Sequence, residues 1–294
     1  MNIKIILILI IILLVLIIIF LPTCGSSEYF TSVSPLPKTI WTYWDGEKSK
    51  CVEYCIESWK KFNPDYEIII LNPTILPNYL PEVDIYGLKH ATTHQRTSDF
   101  IRLAILYKFG GFWIDASMLM TTSLQWLQDY QLNGNYDLIA YHKEANTTNS
   151  QFPVIDSWFF ACNKHSSFIN EWMKTFFNMN NFDTVDEYLK DMSNQKIDFQ
   201  NIGNVNYLAI HCAAQYVLQK LMTSEEIKKK LLILRAEDGP FKYLYLNKWN
   251  SYESVRALCN DKNTITPMIK FTRHERKHID KNENGQFDCI FTLT

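Results

Sequence analysis

The stretch TSDFIRLAILYKFGGFWIDAS, residues 97–117, decides how the chain is read. Residues 97–108 are apolar at almost every turn, which predicts a buried helix that Thr97 or Ser98 would cap. Gly110 and Gly111 end it, because residues without a Cβ allow a tight turn and a close backbone approach. Phe112, Trp113 and Ile114 then read as a short buried strand. Asp115 falls at its C-terminal end, where open α/β sheets bind their ligands. Asp99 and Arg102 are three residues apart and share a helix face. On so apolar a helix both need partners: they either pair with each other or border a polar ligand.

Upstream, residues 38–44 (KTIWTYW) read as a strand that stops at Asp45-Gly46. Residues 50–62 read as a helix, with Val52, Cys55, Ile56 and Trp59 at helical spacing and Asn63-Pro64 as its stop. Residues 66–71 (YEIIIL) give a second strand. A β-α-β opening is the unit of a parallel sheet. Trp41 and Trp44, an odd number of residues apart, face opposite sides of the first strand. Downstream, strands are expected at 136–141 and 158–161, and helices at 167–178, 205–222 and 224–232. Asn206, Tyr207 and His211 would share one of those helices, and His90 and His94 would lie one turn apart if helical. Together these elements make one α/β domain over residues 38–294, with a more helical second half.

Residues 5–21 are 17 consecutive apolar side chains. As a helix they reach about 25 Å, close to the hydrocarbon thickness of a bilayer. Lys4 can snorkel and Pro22 ends the run. This predicts a membrane signal-anchor over residues 1–22, contacting lipid through residues 4–22, with residues 23–37 as a stem; the competing reading is a signal peptide cleaved at the small residues Thr23, Cys24 and Gly25. The positive charge on the short side places the body on the non-cytoplasmic side, as a type II protein. Lys and Arg number 29 against 31 Asp and Glu, a net charge of −2, so the chain lacks the basic excess of a nucleic-acid binder. Aromatic residues at 14% and charged residues at 20% exclude a disordered chain. The seven cysteines are scattered without a C-x-x-C pair, which argues against a zinc site. Cys51 and Cys55 sit one helical turn apart, too awkward for a relaxed bond, and the odd count leaves at least one thiol free or intermolecular.

The pattern Ser98-Asp99-x-x-Arg102-x-x-x-Leu106-x-x-x-Gly110-Gly111-x-Trp113-x-Asp115-x-Ser117 resembles the DXD-region signature of sugar-transferring GT-A enzymes. It is most similar to the capsular polysaccharide synthesis protein family, and more distantly to yeast initiating mannosyltransferases and clostridial toxin glucosyltransferases. The opening residues 37–46 and the run Trp59-Lys60-Lys61-Phe62-Asn63-Pro64-Asp65-Tyr66-Glu67 carry the same resemblance. It implies an α/β, GT-A-like (Rossmann-like) fold with helical additions. The implied activity moves a hexose-type sugar from a nucleotide-sugar donor, UDP- or GDP-linked, to a glycan or polysaccharide acceptor. A divalent cation, Mn²⁺ or Mg²⁺, and retention of anomeric configuration are implied with it.

The resemblance also assigns roles. Asp99, Arg102 and Asp115 would be catalytic, with Asp99 and Arg102 on the ribose and donor sugar. Tyr43 and Trp44 would meet the base, and Gly110, Gly111, Trp113 and Lys270 would complete the nucleotide-sugar site. Asp115, Ser117 and His274 would hold the metal. Ser117 stands where the family often has a second acid, a departure that bears on direct metal binding. The competing reading of Lys270 and His274 is a surface basic cluster. A glycosidase would need two carboxylates flanking one bond, and no second acid of that kind is identifiable. The rival functional class is a non-catalytic sugar- or partner-binding module on the same fold, with Ser117 marking lost chemistry.

Overall fold

The computed structural model describes residues 34–261 and 265–293. The expected anchor and most of the stem therefore lie outside the described residues. No helix among the described residues is long and apolar enough to cross a membrane.

Strand β1 (Thr39–Tyr43) alternates its side chains between two cores, as pleating requires. Trp41 and Tyr43 enter one core, and Ile40 enters the other with Phe112 and Ile114. Helix α1 (Lys50–Phe62) buries Val52, Ile56 and Trp59 on the second side. Strand β2 (Glu67–Leu71) pairs parallel with β1, completing the expected β-α-β unit. Helix α2 (His94–Phe109) covers the first side and leads into β3 (Gly111–Ile114), which pairs parallel with β1. Short β4 (Met118–Met120), helix α3 (Gln125–Gly134), β5 (Leu138–His142) and β6 (Ile155–Cys162) follow. Next come α4 (Ser167–Phe177), α5 (Val185–Asn194), α6 (Ala209–Tyr216), α7 (Ser224–Lys230) and β7 (Leu231–Arg235). The six-stranded sheet has the order β2-β1-β3-β6-β5-β7, with β6 antiparallel to both of its neighbours.

The C-terminal segment forms a third core on top of α1. Helix α8 (Ser251–Asn260), strand β8 (Met268–Lys270) and helix α9 (Arg273–Lys281) bury Val255, Leu258, Ile269 and Ile279 against Cys51, Cys55 and Leu119. A Cys259–Cys289 disulfide closes this segment, while Cys51, Cys55, Cys162 and Cys212 are buried free thiols. Closing a loop of 30 residues is worth about 3.5 kcal/mol by chain entropy.

Local chemistry explains where the expected boundaries moved. Helix α2 starts at His94, not at 97, because the Thr93 hydroxyl accepts from the Arg96 amide at 3.2 Å. Thr97 and Ser98 lie inside the helix. The helix expected at 205–222 begins only at Ala209, so Asn206 and Tyr207 sit in the turn before it. Leu231 and Leu232, read as the end of a helix, instead open β7, which pairs parallel with β5. His90 is in a loop and His94 on α2, so they do not form a helical pair.

The two glycines act in the fold. Gly111 has φ +93°, and a Cβ there would sit 2.5 Å from the Thr39 carbonyl oxygen on β1. Gly110, at φ +67°, would bring one equally close to the Lys164 amide nitrogen. Gly111→Ala should therefore cost about 3 kcal/mol or more, from strain plus clash. Gly203, where a Cβ meets nothing within 4 Å, is the control. Urea unfolding should show Gly203→Ala within about 1 kcal/mol of wild type; equal midpoints for the two variants would refute the steric account.

Candidate functional site

A cleft of about 700 Å³ opens at the C-terminal ends of β1 and β3, the position the strand reading predicts. Its floor begins with Asp115. The Asp115 amide donates to the Trp158 carbonyl at 2.9 Å, continuing the β3–β6 ladder past Ile114. Because β6 runs antiparallel to β3, its start lies beside the end of β3. Asp156, Ser157 and Trp158 consequently line the same cleft.

Arg102 lies beneath this floor, 7% exposed. Its Nε donates to the Ser98 carbonyl at 3.2 Å and its Nη2 to the Ser98 hydroxyl at 3.0 Å. Its Nη1 donates to the Ser157 carbonyl. Nη2 is also 3.3 Å from Asp99 Oδ1 and 3.7 Å from Asp115 Oδ1, and the guanidinium lies 5.0 Å from the Trp113 ring centroid. All three guanidinium nitrogens are thus engaged within the protein. Both alternatives read from sequence are realised: Arg102 pairs with Asp99, and the pair borders the cleft.

Lys270 arrives from β8. Strand β8 pairs antiparallel with β4, opposing Lys270 to Met118, and the Phe271 amide donates to the Ser117 carbonyl at 2.9 Å. This register sets the Lys270 ammonium 2.8 Å from Asp115 Oδ2 and 2.8 Å from the Ser117 hydroxyl. Burial by itself would raise the Asp115 carboxyl, but Lys270 and then Arg102 outweigh it and hold it below the usual carboxylate range. Burial dominates at Asp99 and pushes its carboxyl up, with Arg102, Arg96 and His211 opposing.

Two groups on the far wall carry chemistry that sequence reading missed or underweighted. His211 Nε2 is 3.5 Å from Asp156 Oδ1, with both side chains at least nine-tenths buried. Asp156 Oδ2 and His211 Nδ1 have no hydrogen-bond partner among the described residues. A buried carboxylate oxygen left without a donor is costly, and the pair that carries it lines the cleft. Arg273 and Arg276 extend from α9 into the cleft, and the Arg276 guanidinium lies 5.9 Å from the Trp44 ring centroid. Thr272-x-x-Glu275 is a capping-box signature, so this helix start was readable from sequence.

The chain matches the family model described as "Capsular polysaccharide synthesis protein" over residues 26–233. The chain belongs to this family. A curated relative, glycosyltransferase afumC of Aspergillus fumigatus (strain CBS 144.89 / FGSC A1163 / CEA10), is 28% identical over 102 residues. That alignment covers 30% of this chain and 26% of the relative, so the chain spans about a quarter of the relative's length. Among solved structures, a glycosyltransferase involved in glycosylation of the major capsid of PBCV-1 is 10% identical, with TM-score 0.45 over 83% of this chain and 97% of that one. The galactosyltransferase LgtC, solved with donor and acceptor sugar analogs, is 11% identical, with TM-score 0.43 over 87% and 95%.

In this capsular polysaccharide synthesis family member, the matched span ends before Lys270, Arg273 and Arg276. Tyr43, Trp44, Asp99, Arg102, Asp115, Ser117 and Lys270 all line the one cleft. Gly110 and Gly111, expected beside the donor, do not line it: Gly110 ends α2 and Gly111 begins β3, at the opposite end from Asp115, and both serve the packing described above. Trp113, expected in the same role, is 1% exposed and donates from Nε1 to Asp115 Oδ1 at 3.2 Å, supporting the carboxylate from below. His274, expected as a metal ligand, is exposed on α9 and outside the cleft lining.

The two oxygen donors expected to hold a divalent cation, Asp115 and Ser117, are already engaged within the protein. Such an ion takes about six oxygen ligands at roughly 2.0–2.6 Å. The expected donor set reduces to Asp115 and Ser117, and an ammonium already bridges them. No group of three or more His, Cys, Asp or Glu among the described residues could hold a metal.

Glu275 anchors the helix that carries the two arginines. It accepts from the Ser254 hydroxyl at 2.7 Å and the Thr272 amide at 2.9 Å. Burial, only partly offset by those bonds, raises its carboxyl from 4.5 to about 7. A raised folded value favours the protonated form in the fold. The contribution is therefore complete below the unfolded value and is lost as pH rises to about 7. Between pH 5 and pH 8 wild type should lose about 2.5 kcal/mol relative to Glu275→Gln. Urea midpoints across that range measure it, and a constant difference contradicts the assignment.

Proposed function

We propose that this protein is a glycosyltransferase that moves a hexose from a nucleoside-diphosphate sugar to a glycan or polysaccharide acceptor. The observation that carries the proposal is one cleft, at the C-terminal ends of β1 and β3 in a capsular polysaccharide synthesis family member, that combines an aromatic wall with converging cations. Trp44 is half-buried at the rim and offers a face to a UDP or GDP base. Lys270, Arg273 and Arg276 surround the space for a diphosphate. Cations placed where negative charge develops lower the barrier to leaving-group departure.

In the transfer, the bond between the anomeric carbon and the β-phosphate oxygen breaks, and its electron pair leaves on the nucleoside diphosphate. The acceptor hydroxyl oxygen forms the new bond to that carbon. Its proton passes to the Asp156 carboxylate, which lines the cleft with His211 Nε2 3.5 Å from its Oδ1. Asp115 orients Lys270, and Arg102 fixes Asp99 and Asp115 on the floor. Retention of configuration rests on the family resemblance and is read from the anomeric proton coupling of the product.

Nucleotide release from a panel of UDP- and GDP-hexoses tests the activity. Asp115→Asn should keep the fold and lower turnover a hundredfold or more, on the scale of about 3 kcal/mol for one electrostatic contact in a transition state. A non-catalytic binding protein would bind nucleotide without releasing it from any donor. Unchanged turnover in Asp115→Asn would remove the site assignment.

Residues 4–22 form a single-pass anchor in this proposal, with the catalytic body on the non-cytoplasmic side. The 17-residue apolar run and Lys4 support it. Full-length protein should stay in the membrane pellet through carbonate washing, and deletion of residues 1–23 should release it. Carbonate extraction of the full chain without detergent would exclude the anchor.

A further inference from the structure

We propose that the Lys270 ammonium is the resident cation of this cleft, seated between Asp115 and Ser117, and that it binds the donor diphosphate without a divalent metal. The proposal rests on the donor reading above. It also departs from the Mn²⁺ or Mg²⁺ that the family resemblance implies.

The seat is built by the backbone. Strand β8 is pinned on both sides: Met268–Lys270 pairs with β4, and the Lys270 amide donates to the Pro240 carbonyl at 3.0 Å. The Lys270 side chain is 11% exposed, and its nitrogen contacts both groups of the Asp-x-Ser pair at 2.8 Å. An ammonium has three donors and no acceptor. Two donors are spent here, leaving one for an oxygen entering from the cleft.

The rest of the site leaves little for a metal. Asp115 Oδ1 faces Trp113 Nε1 at 3.2 Å and Arg102 at 3.7 Å, so both of its oxygens already meet donors. Asp99, which shares the floor, is occupied by Arg102 at 3.3 Å and is pushed toward its neutral form by burial. A divalent ion at Asp115 would stand beside both Lys270 and Arg102, and the further carboxylate of the cleft, Asp156, already has His211 3.5 Å from its Oδ1. A diphosphate suits the same place, since it brings only acceptors and negative charge. Serine at position 117 fits this account, because a hydroxyl accepts from an ammonium and adds no charge to compete for a metal.

The test uses the full chain in detergent, with UDP and GDP as probes. Calorimetry measures diphosphate affinity in EDTA and in Mn²⁺, and electron paramagnetic resonance measures Mn²⁺ binding directly. In wild type the preferred nucleotide should bind with the same affinity, within about twofold, in both buffers, and Mn²⁺ alone should not bind stoichiometrically. Lys270→Met should weaken the nucleotide tenfold or more in EDTA, while Lys270→Arg should stay within a few-fold of wild type. The double variant Lys270→Met with Ser117→Asp should bind Mn²⁺ and recover nucleotide affinity only in its presence, which also shows that the variant is folded. Wild-type nucleotide affinity that needs Mn²⁺ and vanishes in EDTA would overturn the lysine assignment while leaving the donor reading intact. Absence of nucleotide binding in either buffer would overturn the donor reading, and the lysine assignment with it.

Discussion

A buried guanidinium organises the floor of this protein. Arg102 reaches from α2 to the backbone of β6 at Ser157, and faces Asp99 on its own helix and Asp115 at the end of β3. Removing one partner of such a group leaves an uncompensated charge, which costs about 3–5 kcal/mol in buried pairs. The three elements are therefore bound to one geometry. The cation also lies over Trp113, and the same indole steadies the Asp115 carboxylate.

A second framework holds the loop that Asp115 begins. Trp59 Nε1 donates to the Met118 carbonyl at 2.6 Å, the Ser58 hydroxyl accepts from the Met120 amide at 2.9 Å, and Asn63 Oδ1 accepts from the Leu124 amide at 2.8 Å. Helix α1 thus grips β4 along its length. This gives the Trp59-to-Asn63 spacing a physical meaning, since the end of α1 holds the segment from Met118 to Leu124 that directly follows Ser117. The disulfide loop then holds β8 and α9 over the same helix.

What could be read from sequence followed from how local the signals were. Asp99, Arg102 and Asp115 lie within one helix-turn-strand pattern, and their meeting follows from the geometry of that segment. The β-α-β opening was legible for the same reason. Asp156 gives no comparable signal, because β6 reads as an apolar run and only its antiparallel pairing brings that residue beside Asp115. Helix α2 starts one turn before the expected Thr97 or Ser98 cap because Thr93 caps it, and this brings Arg96 into the helix. Arg96 is 8% exposed, with its guanidinium capping the Asn206 carbonyl. Helix α5 was missed although Thr184 and Glu187 form a capping box, a signal that was available. The C-terminal cations resembled a solvated basic face, and only the β4–β8 register distinguishes them from one.

The Lys270–Asp115 contact joins residues 155 positions apart. Closing a loop of that length costs about 4–5 kcal/mol of chain entropy before the contact returns anything. Contacts of such separation form late, after local helices and neighbouring strands have condensed. During synthesis the carboxylate emerges 155 residues before its cation, so Asp115 leaves the ribosome with no Lys270 yet made to meet it.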